Sequence, residues 1–245
     1  MPRPAALDVL LCERCGYPLD GHAYIRDATC PECGLDVHAS HPDRRTPTAW
    51  HRRPGPATLT RTVTALARHP RSFFRGLGFA GSNNPERVLL LLSGSAAGAL
   101  AGLDAWLIAD RLPVQAWLIG MLTTQAVLIL SVVEVLGVAF FSRRRGWRVP
   151  LKHAERIVAY ASPAWLPTTA LLLLLIHAAG GPDGLAARLP PLPLLTTDQS
   201  AGALALAAVA LALCCFEWVV YLGVRQARFA NTAATVTAGR PADPT

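Results

Sequence analysis

The chain has 245 residues, of which 52% are hydrophobic and only 16% charged, and its mean hydropathy is +0.33. A soluble domain carries nearer a quarter charged residues, so this composition excludes an ordinary soluble globular protein. The net charge of +7 is almost all arginine, since Lys152 is the sole lysine, a bias that a GC-rich genome would also produce.

No cleavable signal peptide is expected at the start. Leu7 to Leu11 is too short for its apolar core, and Leu11 stands where a lipobox needs a small residue. The first true span should therefore act as its own insertion signal. Residues 7–41 hold two knuckles, Cys12-Glu-Arg-Cys15-Gly16 and Cys30-Pro-Glu-Cys33-Gly34, fourteen residues apart. That spacing lets Cys12, Cys15, Cys30 and Cys33 surround one structural Zn²⁺ tetrahedrally. The glycines permit the tight turn that aims backbone N–H groups at the thiolates, and Pro31 stiffens the second turn. A Cys₄ ribbon of short β strands follows, too small for its own core and folded by its metal. Disulfides would need an oxidising compartment, and a redox pair would need one CxxC motif, not two. An iron–sulfur centre stays open as an alternative. His22, His38 and His41 are spare ligands, but four cysteines leave no open position for metal catalysis. From Asp8 to His41 the acids are Asp8, Glu13, Asp20, Asp27, Glu32 and Asp36, against Arg14 and Arg26 alone. Such a module suits a protein contact or a structural role better than phosphate binding.

Residues 42–87 read as an Arg- and Pro-rich linker, irregular at first. From Ala57 a helical pattern begins. Leu59, Val63, Leu66, Phe73, Phe74 and Leu77 share one face, Arg61, Arg68, Arg71 and Arg75 lie elsewhere, and Pro70 kinks or splits the helix. This predicts an interfacial amphipathic helix against a bilayer with anionic headgroups.

Residues 88–230 predict an all-α polytopic bundle of about four transmembrane helices, at Val88–Ala109, Val114–Phe141, Ile157–Ala179 and Ala201–Val224. All basic residues except Arg111 and Arg188 fall on one side, which the positive-inside rule assigns to the cytoplasm. Both termini, including a tail at 231–245, are then cytoplasmic, where thiols stay reduced and zinc is their natural partner. Leu185–Leu195 is apolar but short and holds three prolines, so it reads as an interfacial or re-entrant segment or a degenerate fifth span.

Gly94, Gly98 and Gly102 form a helix-packing stripe that serves an intramolecular contact or a homodimer. Glu134 and Glu217 each lie seven residues before the inner end of their spans, so they are candidates for an ion or proton pathway, with Gln125 and Tyr160 as companions. Their structural alternative is an interhelical hydrogen bond. Asp104 and His177 lie near the outer ends, and Cys214 and Cys215 read as small packing residues. No nucleophile elbow, phosphate loop, HExxH or haem-type CxxCH occurs, so no catalytic residues are assigned and no enzyme is expected.

Two resemblances follow from short motifs. Cys12-x-x-Cys-Gly-Tyr-Pro-Leu-Asp-Gly…Cys30-Pro-Glu-Cys-Gly-Leu35 resembles the zinc-ribbon opening of many small bacterial membrane proteins, planctomycete ones especially. The membrane part resembles the Yip family of Ypt/Rab-interacting membrane proteins. It does so at Arg68-His-Pro-Arg-Ser-Phe-Phe-Arg75, Arg156-Ile-Val-Ala-Tyr-Ala161 and Trp218-Val-Val-Tyr-Leu-Gly-Val-Arg225. The family usually has five spans where four are counted here. The resemblance implies an integral membrane role in trafficking, organisation or partner recruitment and no catalytic residues, and the chain is expected to be a non-enzymatic bacterial inner-membrane protein that docks a protein partner or forms a homo-oligomer. A small ion- or proton-coupled transporter and a membrane-tethered nucleic-acid-binding or regulatory protein are the alternatives.

Overall fold

A computed structural model describes residues 9–19, 27–79, 81–107, 112–178 and 197–231. Eight helices are seen there: α1 Ala49–Arg52, α2 Pro56–Arg68, α3 Pro70–Gly76, α4 Asn84–Leu107, α5 Pro113–Arg144, α6 Leu151–Ala161, α7 Trp165–Ala178 and α8 Thr197–Ala227. Short 3₁₀ turns occupy Val37–Ser40, Pro42–Arg44 and Ser162–Ala164. The expected ribbon strands are not formed among the described residues. Only isolated bridges occur, Leu11 with Pro18, Thr29 with Asp36 and Thr46 with Leu77. Ala23 to Arg26, the segment 185–195 and the tail beyond residue 231 lie outside the described residues.

The boundaries follow from local chemistry. Thr48 caps α1 by accepting the His51 N–H at 3.0 Å. Pro56, Pro70 and Pro113 each open a helix, where a missing N–H costs nothing. Pro70 also splits the expected amphipathic helix, because the residue before proline is pushed out of the helical region and His69 takes φ −139°. Helix α5 ends at Gly146, whose φ is +69°. There Gly146 N–H bonds Arg143 O at 3.2 Å and Trp147 N–H bonds Ser142 O at 2.9 Å, a Schellman motif.

Three helices are long and apolar enough to cross a bilayer, at Asn84–Trp106, Pro113–Arg144 and Val209–Ala227. Their outward faces carry large apolar side chains, among them Leu91, Trp106, Leu122, Ile129 and Val209. These are the features of a membrane protein. The described residues thus give three such helices where about four were expected. The difference is the stretch Ile157–Ala179. Pro163 cannot donate a backbone hydrogen bond, and the chain turns through Ser162–Ala164 between α6 and α7. Ile157, Val158, Ala159, Tyr160 and Ala161 are buried, so the end of α6 is core.

The chain forms two compact units. The first comprises residues 1–86, 134–158 and 220–245, and the second comprises 87–133 and 159–219. In the first, the stretch before Ala57 that was expected to be irregular holds the 3₁₀ turn at Pro42–Arg44 and α1, with Arg45 and Trp50 buried, and the helical pattern after it forms α2 and α3. Leu66, Phe74 and Leu77 are buried and Leu59, Val63 and Phe73 half-buried, so the apolar face of α2 and α3 is turned toward protein, while Arg61, Arg68, Arg71 and Arg75 are exposed. Gly223 of α8 sits so close to Ile157 and Phe74 that a Cβ there would lie within 3.1 Å of both. In the second, Gly94 faces Val127 and Leu128, Gly98 faces Thr124 and Gly120, and Gly102 faces Ala116 and Gly120. The glycine stripe thus packs α4 on α5. Trp165 stacks on Phe216 with ring centres 5.0 Å apart.

Candidate metal centre

The two knuckles are repeats of one backbone unit, eighteen residues apart. Cys12 N–H bonds Tyr17 O and Gly16 N–H bonds Cys12 O, both at 2.8 Å. In the second copy Cys30 N–H bonds Leu35 O at 2.7 Å and Gly34 N–H bonds Cys30 O at 2.9 Å. Gly16 and Gly34 take φ +82° and +68°, the left-handed region that side chains disfavour. Each knuckle then returns along itself, through Leu19 N–H to Leu10 O and Val37 N–H to Ala28 O. The pseudo-symmetry lays the first cysteine of each pair beside the second cysteine of the other. Cys12 Sγ is 3.5 Å from Cys33 Sγ, and Cys15 Sγ is 3.6 Å from Cys30 Sγ.

All four sulfurs lie within 4.8 Å of one another. One tetrahedral ion with metal–sulfur bonds of ~2.3 Å would separate them by ~3.8 Å. The arrangement is therefore a metal-binding one, consistent with zinc. The thiols are free, and at these separations they are not disulfide-bonded. Cys12 and Cys30 are buried with Leu10, Leu19 and Val37, while Cys15 is exposed. Desolvation pushes Cys15 up to about 12 and also raises Cys12. At Cys30 desolvation is outweighed by the N–H groups of Cys33 and Glu32 and by the neighbouring thiols, which bring it down to about 7. Four thiolates this close need a cation between them. His38 and His41 are not members of the sulfur cluster, and His41 pairs with Asp43 at 3.1 Å. His22 lies outside the described residues.

Polar side chains from distant sequence fix the module within its unit. Asn231, just past α8, accepts the Leu11 N–H at 3.0 Å and donates to Leu11 O and Ser40 O at 2.8 Å. Arg148 donates to Val9 O at 2.7 Å, and Arg228 donates to Arg14 O. The Phe229 ring lies directly on Gly16. Arg45 grips Glu13 with two parallel bonds of 2.7 and 2.9 Å and reaches Leu77 O and Gln226 O at 3.2 Å. A second buried network surrounds Glu86, which is fully buried at the start of α4. His51 Nδ1 lies 2.7 Å and Arg156 Nε 3.3 Å from its Oε1, and Arg156 also donates to Gly78 O and Asn83 Oδ1.

None of these anchors was singled out from the sequence. Arg148 counted there only among the basic residues of one side, Arg156 there and as the opening of a Yip-like segment, and Asn231 and Glu86 not at all. The eighteen-residue repeat was the one signal available, and it shows the knuckles' internal bonds but not their anchors. Of the intramembrane candidates, Glu134 is half-buried, engages other groups and falls in the first unit; Glu217 is exposed on α8 and falls in the second. Gln125 is exposed and Tyr160 is buried. Asp104 is half-buried, and the side chain of His177 lies outside the described residues. Cys214 is exposed and Cys215 half-buried, both free thiols.

No family model matches the chain, no curated protein matches it, and no solved structure matches it.

Proposed function

We propose that the chain is a non-enzymatic integral membrane protein whose Cys₄ module, a zinc ribbon in kind, holds one structural Zn²⁺ and docks or organises a protein partner. The observation that carries this is the closed cluster of four thiols, all within 4.8 Å of one another. A site that spends four protein ligands has no position left for substrate or water, so the metal's contribution is to neutralise the thiolates and fold the loops. The anchoring by Asn231, Arg45 and Arg148 supports a rigid platform rather than a tethered finger. The basic residues flanking the spans support a cytoplasmic module on a bacterial inner membrane. The Yip-like segments lead to the same organising role.

The test is elemental analysis of the detergent-purified protein beside a Cys30→Ser/Cys33→Ser variant. One zinc per chain, absent from the variant, is the expected result. Cross-linking in intact membranes should then trap a specific protein neighbour that the variant fails to trap. Iron, or a metal-free chain with disulfides, overturns the zinc reading. An unchanged set of neighbours in the variant overturns docking.

A further inference from the structure

The first unit contains a cavity of about 780 Å³ that the metal site does not use. Its walls come from separate pieces of the chain. The first knuckle gives Arg14, the 3₁₀ turn at Pro42–Arg44 gives Arg44, α3 gives Arg75, and the end of α8 gives Arg225. Arg45 and Arg228 complete a lining of six arginines. Glu13 is the one acidic side chain in that lining, and Arg45 holds both of its oxygens. Arg228 is engaged by the Arg14 carbonyl and lies over the Phe229 ring.

Arg14, Arg44, Arg75 and Arg225 are left, all exposed. None of them forms an ion pair among the described residues; Arg75 makes only a long bond of 3.4 Å to Gln226 Oε1. Four guanidinium groups around one concavity repel one another unless an anion enters. Each presents a planar fork that matches two oxygens of a phosphate. The cavity is much larger than one phosphate group, so it admits a ligand bearing several charges. Arg225 lies two residues before the end of the candidate span Val209–Ala227, where headgroup phosphates are found.

We propose that this cavity is a binding site for a phosphate-bearing polyanion, drawn either from a lipid headgroup or from a soluble diphosphate. The site needs the first knuckle in place but not any one metal, so it stands or falls apart from the zinc reading.

The experiment uses the full chain in detergent, with inorganic pyrophosphate as the soluble probe. Nanodiscs of phosphatidylglycerol, against nanodiscs of phosphatidylcholine, supply the lipid probe. Arg44→Gln/Arg225→Gln is the cavity variant, and Arg14→Gln/Arg44→Gln repeats the test should the first fold poorly. Arg52→Gln/Arg53→Gln removes the same charge from the exposed end of α1, outside the cavity. At least one probe should bind the wild-type chain, at least tenfold more weakly in a cavity variant and within twofold of wild type in the α1 variant. Binding of pyrophosphate assigns a soluble ligand, and binding of phosphatidylglycerol alone assigns a headgroup. No binding of either probe, undiminished binding in the cavity variants, or equal loss in the α1 variant overturns the site.

Discussion

In the first compact unit, charged and polar side chains are buried and each is aimed at named partners. Arg45, Glu86, Arg148, Arg156 and Asn231 are all under a tenth exposed. In the second, α4 meets α5 through residues with almost no side chain, Gly98 and Gly102 against Gly120. The difference shows two ways to fix a helix. A buried ion or amide specifies one partner, and its loss leaves the other member stranded in a poor solvent. A glycine contact specifies only distance, and fails only when something is added. The first unit should thus break by deletion and the second by insertion.

On the zinc site proposed above, removing the metal should produce the largest deletion effect. Structural zinc in small modules contributes about 10–16 kcal/mol of apparent folding free energy at neutral pH. Chelation, or Cys30→Ser/Cys33→Ser, should unfold residues 9–19 and 27–45 and leave most of the helical circular dichroism intact. Limited proteolysis reads this as new cleavage confined to those stretches. Truncating Arg156 to Met comes next. It strips the fully buried Glu86 of its arginine, and breaking such a pair costs about 3–5 kcal/mol. Arg156→Met/Glu86→Gln should recover part of the loss in thermal midpoint, because no buried charge is then stranded.

The second unit is tested by addition. Gly98→Ala would drive a Cβ into the Gly120 carbonyl and the Thr124 hydroxyl, so α4 and α5 must part. Overpacking of this kind costs about 1–3 kcal/mol. Gly137→Ala, on the part of α5 that belongs to the first unit, meets nothing within 4 Å and should be neutral or slightly stabilising. Unfolding midpoints in detergent compare the two, and equal effects would remove the glycine contact from the account.

Acid should separate the units again. His153 is buried, its ring stacked 4.2 Å from that of Phe79. Burial, then the charges of Arg156 and Arg45, bring its pKa from 6.5 down to about 3. Between those values the unfolded chain takes a proton that the folded chain refuses. This group therefore leaves stability unchanged above pH 6.5 and removes it as pH falls below, by about 1.4 kcal/mol per unit at most. His153→Phe should flatten that part of the midpoint-versus-pH curve.

Legibility in the sequence divides along the same line. Whatever depends on spacing alone was readable: four thiols on one centre, three of the about four apolar spans expected, a glycine stripe, a break at Pro70. Whatever depends on the meeting of distant polar residues was not. Nothing in Asn231 announces a partner at Leu11, 220 positions away. Arg45 lay in a stretch read as irregular because its prolines and arginines match linker composition. Hydropathy ran on through Ser162-Pro163, since averaging over a window hides one missing N–H.

The finest division runs between the two knuckles. Gly16 and Gly34 are equivalent in the repeat, with the same left-handed backbone and the same bond back to a cysteine carbonyl. A Cβ at Gly34 meets nothing within 4 Å, so Gly34→Ala should cost only the backbone strain, about 1–2 kcal/mol. At Gly16 the added atom would lie 2.7 Å from Cζ of Phe229. Gly16→Ala should therefore cost about 1 kcal/mol more, through displacement of the ring. Phe229→Leu makes room and should remove that excess without easing Gly34→Ala, a coupling that a double-mutant cycle on thermal midpoints measures. Equal costs at the two glycines would mean that Phe229 yields freely and that the first knuckle is held by its hydrogen bonds to Asn231, Arg45, Arg148 and Arg228 rather than by the ring.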